Sequence, residues 1–104
     1  MSVDRATLPM EAIEAFCGRW KVRELALFGS VLRADFGPNS DVDVLLTFAD
    51  DADWGLFDLA RIQRDLVAVF GRDVDVLTRR GVEASRNRLR RQAILSFAEV
   101  IYAA

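Results

Sequence analysis

The stretch that decides the fold is LFGSVLRADFGPNSDVDVLLTF, Leu27 to Phe48. It sets Gly29-Ser30 after one apolar run, passes through a turn-rich segment, and enters a second apolar run carrying Asp41 and Asp43. Val22 to Phe28 reads as a strand ending at Gly29, and Val42 to Phe48 reads as a second strand. A short helix is expected from about Val31 to Asp35. Phe36 to Ser40, FGPNS, is a loop, because its Gly, Pro, Asn and Ser each favour turns.

Side chains alternate along a strand, so Asp41 and Asp43 share one face, with Cα atoms roughly 6.5–7 Å apart. Val42, Val44 and Leu46 take the other face and can pack against helices. Two carboxylates so placed either splay into water or share a cation. A plain solvent-facing edge strand is the bland alternative.

The same pattern recurs as DVDVLT, Asp73 to Thr78, which reads as a third strand. If it lies beside the second, Asp75 comes alongside Asp41 and Asp43. Three carboxylates on neighbouring strands would make a two-metal oxygen site of the kind that clamps phosphates. Asp73, at the strand entrance beside Arg72, reads as a surface residue. An EF-hand reading of DVDVLLTFADDA fails, because Leu46 stands where the turn needs glycine.

Gly29-Ser30 opens a short helix, whose free N–H groups suit phosphate. Glycine permits close backbone approach and the Ser30 hydroxyl can donate. Ser30 as a simple helix cap is the competing reading. Arg33, one turn on, can face a phosphate or pair with Asp35. The Gly-Lys-Ser/Thr ending of a Walker loop is absent.

Outward from this segment, the first helix is expected after Thr7 as N-cap, with Pro9 in its opening turn and Gly18 as its stop. Gly55 to Phe70 is a long amphipathic helix with Leu56, Leu59, Ala60, Leu66, Val67 and Phe70 on its apolar face, ended by Gly71. Arg61, Arg64 and Asp65 are expected to face water. A further helix covers Val82 to Ala93, and the apolar tail to Tyr102 continues it or adds an edge strand. Asp50, Asp51 and Asp53 read as a solvated loop. The fold class is α/β (α+β): a small mixed sheet of three or four strands covered by helices, in a single domain over 1–104.

With 104 residues, 52% of them hydrophobic, one real core can form. The net charge of −2 points neither to nucleic acid nor to a membrane surface. Cys17 is the sole cysteine and there is no histidine, so a disulfide within the chain and a Cys/His zinc site are excluded. Any metal must be held by oxygen, which favours Mg²⁺, Mn²⁺ or Ca²⁺. No signal peptide or membrane-length apolar run is evident, so a cytoplasmic location is expected.

Gly29-Ser30, Asp41-Val42-Asp43 on a strand and Asp75 on a later strand together resemble the nucleotidyltransferase superfamily with the DNA polymerase β-like fold. The likeness is to its minimal (MNT) members, and it runs through FGSVLRADFGPNSDVDVLL, the long helix, VDVLT and the Arg-rich end. It implies that Gly29 and Ser30 meet nucleotide phosphate, with Arg33 a further candidate. Asp41 and Asp43 would hold two divalent ions, Mg²⁺ or Mn²⁺, and Asp75 would complete the metal site and help activate a hydroxyl. The implied reaction moves a nucleoside monophosphate, by family default AMP from ATP, to that hydroxyl.

The chain ends soon after the core fold, so its acceptor is expected on another molecule. MNT proteins are commonly encoded beside HEPN-domain toxins. The resemblance therefore implies an antitoxin that adds AMP to a tyrosine of a HEPN ribonuclease, with a hetero-oligomer as an associated possibility. Two alternatives stand beside it: a non-catalytic module that neutralises by occlusion, and transfer to RNA or a small-molecule hydroxyl. The acidic net charge argues against direct nucleic-acid binding. Arg79, Arg80, Arg86, Arg88, Arg90 and Arg91 face Glu83 and Glu99 in the last third of the chain. On one helix Arg86 and Arg90 would share a face, with Leu89 and Ala93 on another. That basic face can dock an acidic partner, steer nucleotide or simply be solvated. Trp20 and Trp54 are candidates for partner contact or for the core.

Overall fold

Among the described residues, four strands form one sheet with four helices packed on its two faces, and the arrangement follows from where apolar side chains recur. The computed structural model describes residues 8–29 and 41–104. Thr7, the expected helix over Val31–Asp35 and the FGPNS loop lie outside the described residues.

Helix α1, Met10–Arg19, buries Ile13, Phe16 and Cys17, one stripe at helical spacing. Pro9 occupies the N-cap position and offers no side-chain hydrogen bond. Gly18 does not stop this helix. The chain stays helical to Arg19, and Lys21 takes the left-handed turn at φ 55°. The reason is Trp20, which the longer helix carries into the core. Its indole Nε1 donates to Asp65 at 2.8 Å, and its ring meets Trp54 edge-on at 5.2 Å between centroids. Trp54 in turn donates to the Trp20 carbonyl at 3.0 Å. Both tryptophans therefore serve packing within the fold. Asp65, expected in water, is half-buried and holds Trp20.

Strands β1, Val22–Phe28, and β2, Val42–Phe48, run antiparallel. Helix α2, Leu56–Phe70, then crosses over to β3, Val74–Thr78, which lies parallel to β2. Asp58 accepts the Gly55 N–H at 3.1 Å at the start of α2, and Gly71 ends it at φ 69° as expected. Its buried stripe centres on Ile62 and Leu66, flanked by Leu59, Val69 and Phe70. Leu56 is 85% exposed and Ala60 is also exposed, contrary to the expected face. At about 100° per residue both lie well round the helix axis from Ile62.

The expected single helix over Val82–Ala93 is two helices, α3 (Arg79–Glu83) and α4 (Arg88–Phe97). Local polar side chains make the break. Ser85 accepts the Asn87 N–H at 3.2 Å, and Asn87 then caps α4 by accepting the Arg90 N–H at 3.1 Å. Arg86 falls between the helices, so it shares no helical face with Arg90. The tail forms β4, Glu99–Ala103, an edge strand antiparallel to β1.

The sheet order is β3-β2-β1-β4. One face carries Val22, Leu25, Leu27, Val42, Val44, Leu46, Val74 and Ile101 and packs under α1 and α2. The other carries Ala26 and Leu45, covered by Val82 of α3 and Ile94 of α4. The acidic loop is solvated as expected, with Lys21–Asp51 at 3.2 Å and Arg23–Asp50 at 3.8 Å as exposed ion pairs. No helix among the described residues is long and apolar enough to cross a membrane.

Candidate active site

The candidate site forms where β1 ends and the parallel pair β2 and β3 begins. Parallel pairing brings residues into lateral register, and here Asp43 stands opposite Asp75. Neighbouring strands lie about 4.8 Å apart, so the two carboxylates are side by side on one face. That face is the one carrying Leu45 and Leu77, away from the α1–α2 core. The start of β3 is fixed on both sides. Val42 N–H donates to the Asp73 carbonyl at 3.0 Å, and the Gln63 amide on α2 donates to the Val74 carbonyl at 3.2 Å.

Gly29 completes this corner for a steric reason. On the antiparallel side Phe28 pairs with Asp43, which brings the residue after β1 against the Asp43 side chain. Gly29 adopts φ +73°, a left-handed conformation that favours glycine. A Cβ there would overlap the Asp43 carboxylate, with its Cγ only 3.1 Å away. The sequence motif points Gly29 toward phosphate and does not point to its contact with Asp43, for which a glycine closing a strand antiparallel to an aspartate-bearing one is the available signal.

Asp43 is half-buried, and Asp75 and Asp41 are exposed. Asp41 sits one residue ahead of β2. Asp73 is exposed and contributes its backbone carbonyl to β2. Ser30 and Arg33 lie outside the described residues. Among the described residues no three acidic side chains are grouped to hold a metal ion. The register thus unites Asp43 and Asp75, with Asp41 adjacent in sequence. An all-oxygen set of this kind fits a hard divalent cation such as Mg²⁺. A cavity of about 640 Å³ opens at the opposite end of the sheet, between Thr47, Trp54, Thr78 and Arg80, and includes none of these carboxylates.

A nucleotidyltransferase domain model matches residues 9–98, nearly the whole described fold and every one of the three aspartates. The chain belongs to the nucleotidyltransferase domain family. A solved structure of a "putative minimal nucleotidyltransferase" is similar over 96% of both chains, at 32% identity and a TM-score of 0.65. A crystal structure of a toxin–antitoxin with AMP-PNP shares the fold, with a TM-score of 0.67 at 19% identity, over 90% of this chain and 73% of that one. Among curated proteins, a "putative protein adenylyltransferase" of Methanocaldococcus jannaschii is 39% identical over 57 residues. That match spans 55% of this chain and 59% of the relative, less than two thirds of the latter's length. The mixed four-stranded sheet under helices is the nucleotidyltransferase fold, as expected from the sequence.

Proposed function

We propose that the chain transfers AMP from ATP to a hydroxyl of a partner protein, a tyrosine of a HEPN-domain toxin, and thereby acts as its antitoxin. The observation that carries this reading is the register of Asp43 with Asp75 beside the Gly29 corner. The family membership supports the reaction class, and the similarity to a "putative protein adenylyltransferase" and to a chain of a toxin–antitoxin crystal structure supports the acceptor class.

Asp41, Asp43 and Asp75 would hold two divalent ions, Mg²⁺ or Mn²⁺. When bound, such ions stabilise charge on the leaving pyrophosphate and lower the pKa of the attacking hydroxyl. The chain's own groups do the positioning. Gly29 leaves room for the Asp43 carboxylate and for close approach of phosphate to the backbone, and Ser30 donates to a phosphate oxygen. Asp75, exposed at the strand start, can accept a hydrogen bond from the incoming hydroxyl. The hydroxyl oxygen bonds to the α-phosphorus as the bond to the bridging oxygen breaks. Pyrophosphate leaves with the electron pair, and the proton passes by way of Asp75 to solvent. Arg33, three residues beyond Ser30 in the sequence, is assigned to the phosphates.

Intact-mass measurement tests this directly. The chain is incubated with Mg²⁺, ATP and the product of the adjoining gene, and the partner is expected to gain the mass of one AMP. No gain, together with full neutralisation by an Asp41→Asn/Asp43→Asn variant, would replace catalysis by occlusion as the mechanism. Mg²⁺–ATP should also raise the melting temperature of the wild type and not of that variant.

A further inference from the structure

Helix α4 has a buried side at Ile94 and an outward side of unusual composition. Leu89 is 80% exposed and Phe97 is 74% exposed, with exposed Ala93 between them at the i, i+4, i+8 spacing that makes one stripe. Arg90 lies next to this stripe, about 20° from Phe97 round the helix axis. Arg90 also lines a groove of about 360 Å³ between α4, α3 and β3, floored by Leu77, Val82 and Ile94 and flanked by Arg91. The outward surface of α4 is therefore an apolar ridge beside a basic groove.

Its position links it to the carboxylates. Phe97 ends α4, and two residues later Glu99 pairs with Leu27 on β1. Leu27 precedes Phe28, the partner of Asp43. The ridge thus runs from Leu89 toward the end of the sheet that holds Asp43 and Asp75. Val100, 41% exposed and paired with Ala26, continues the apolar strip onto the same sheet face.

Charge selects the occupant. From Arg79 to Phe97 the chain carries six arginines and one glutamate, although its net charge is −2. A second copy would bring the same positive segment against itself, which is unfavourable. A partner with apolar side chains interleaved with Asp or Glu fits both ridge and groove.

We infer that the outward face of α4 is the docking surface for the acceptor protein, which presents an acidic, apolar helix face and so delivers its hydroxyl to the Asp43–Asp75 end of the sheet. This rests on the proposed transfer to a protein acceptor. Burying exposed aromatic and aliphatic anchors supplies affinity, and the arginines supply orientation and rate of encounter.

The test is a binding titration of the product of the adjoining gene against wild type, Leu89→Glu/Phe97→Glu and Arg90→Glu. The positions are exposed, and melting curves with and without Mg²⁺–ATP check that each variant folds and keeps the nucleotide response. The double variant is expected to bind at least about thirty-fold more weakly, and Arg90→Glu about ten-fold more weakly with a shallower salt dependence. Wild-type affinity in the double variant overturns the inference. So does absence of binding by the wild-type chain, or a wild-type homodimer that the double variant dissolves. Binding that is lost in the variants while no AMP transfer occurs in the wild type keeps the docking surface and defeats the transfer reading instead.

Discussion

The two faces of the sheet are built from the same strands and do different work. Between the sheet and helices α1 and α2, fourteen of the described residues form one buried cluster, including Trp20 and the fully buried Leu25, Leu27, Leu46, Ile62 and Leu66. Between the sheet and helices α3 and α4, the buried cluster among the described residues is Ala26, Leu45, Val82 and Ile94. That second face leaves a groove beside Arg90 and keeps Asp43 and Asp75 at its edge. Stability is concentrated on one face, which frees the other to hold groups that would be costly in a sealed core. Because strand side chains alternate, neighbouring residues fall on opposite sides of this division. Val42 and Val44 anchor the strand from below while Asp43 between them stands in register with Asp75 on the other face.

The largest expected effect lies on the open face. Asp75→Asn should lower AMP transfer by at least about a thousandfold, on the scale of losing a key electrostatic group in a transition state. Its melting temperature should stay close to wild type, because Asp75 is exposed. Transfer assays and melting curves on the same sample separate the two. A variant that keeps transfer, or loses its fold, would break the division of labour between the faces.

Next comes a direct comparison of adjacent leucines. Leu46 is fully buried in the larger cluster and Leu45 is buried in the smaller one. Leu46→Ala should cost about 3–5 kcal/mol, and Leu45→Ala about 2 kcal/mol, because Leu46 packs within the larger buried cluster and Leu45 within the smaller, so truncation at Leu46 loses more packed neighbours. Denaturant unfolding measures both. Equal costs would mean that the second face is packed as firmly as the first.

Much of this arrangement is legible in the sequence, and the parts that were not share a cause. The strands at Val22–Phe28 and Val42–Phe48 and the stop at Gly71 follow from periodicity and turn chemistry, which are local. The pairing of Asp43 with Asp75 was legible only as a condition, since adjacency of β2 and β3 is set by the crossover of α2. Gly18 looked like a helix stop, but burial of Trp20 outweighed it, a tertiary effect no window of sequence contains. The sequence extends the apolar face of α2 to Leu56 and Ala60, which the structure leaves exposed, because apolar type is visible in sequence and the direction of the sheet is not. The Ser85–Asn87 break was written in capping residues that the arginine pattern obscured.

Gly29 joins the two faces, since it closes β1 and touches Asp43. Gly29→Ala would force a side chain into the left-handed region, at a cost of about 1–2 kcal/mol, and into the Asp43 carboxylate. The expected result is a fall in transfer close to that of Asp75→Asn with a stability loss smaller than that of Leu46→Ala. Paired assays of transfer and unfolding decide it. A large loss of stability with transfer retained would show that the corner braces the fold and does not set the carboxylate.

The smallest effect is expected at Cys17, deep on the sealed face and 1% exposed. Burial, with the Glu14 charge adding to it, pushes its pKa from 9.0 to about 12. The thiol is thus inert at neutral pH, and Cys17→Ala should leave transfer unchanged. The pH dependence has a definite sign. Below about pH 9 both folded and unfolded chains hold the proton, so the thiol adds no slope. Between about pH 9 and pH 12 the unfolded chain releases it and the folded chain does not, so stability falls by up to about 1.4 kcal/mol per pH unit. Urea titrations at pH 8, 9 and 10 should show this added slope in wild type and not in Cys17→Ala. Alkylation at pH 8 should require denaturant. Labelling of the folded chain without denaturant would mean that α1 opens over the sheet, and that the face assigned to stability is the looser of the two.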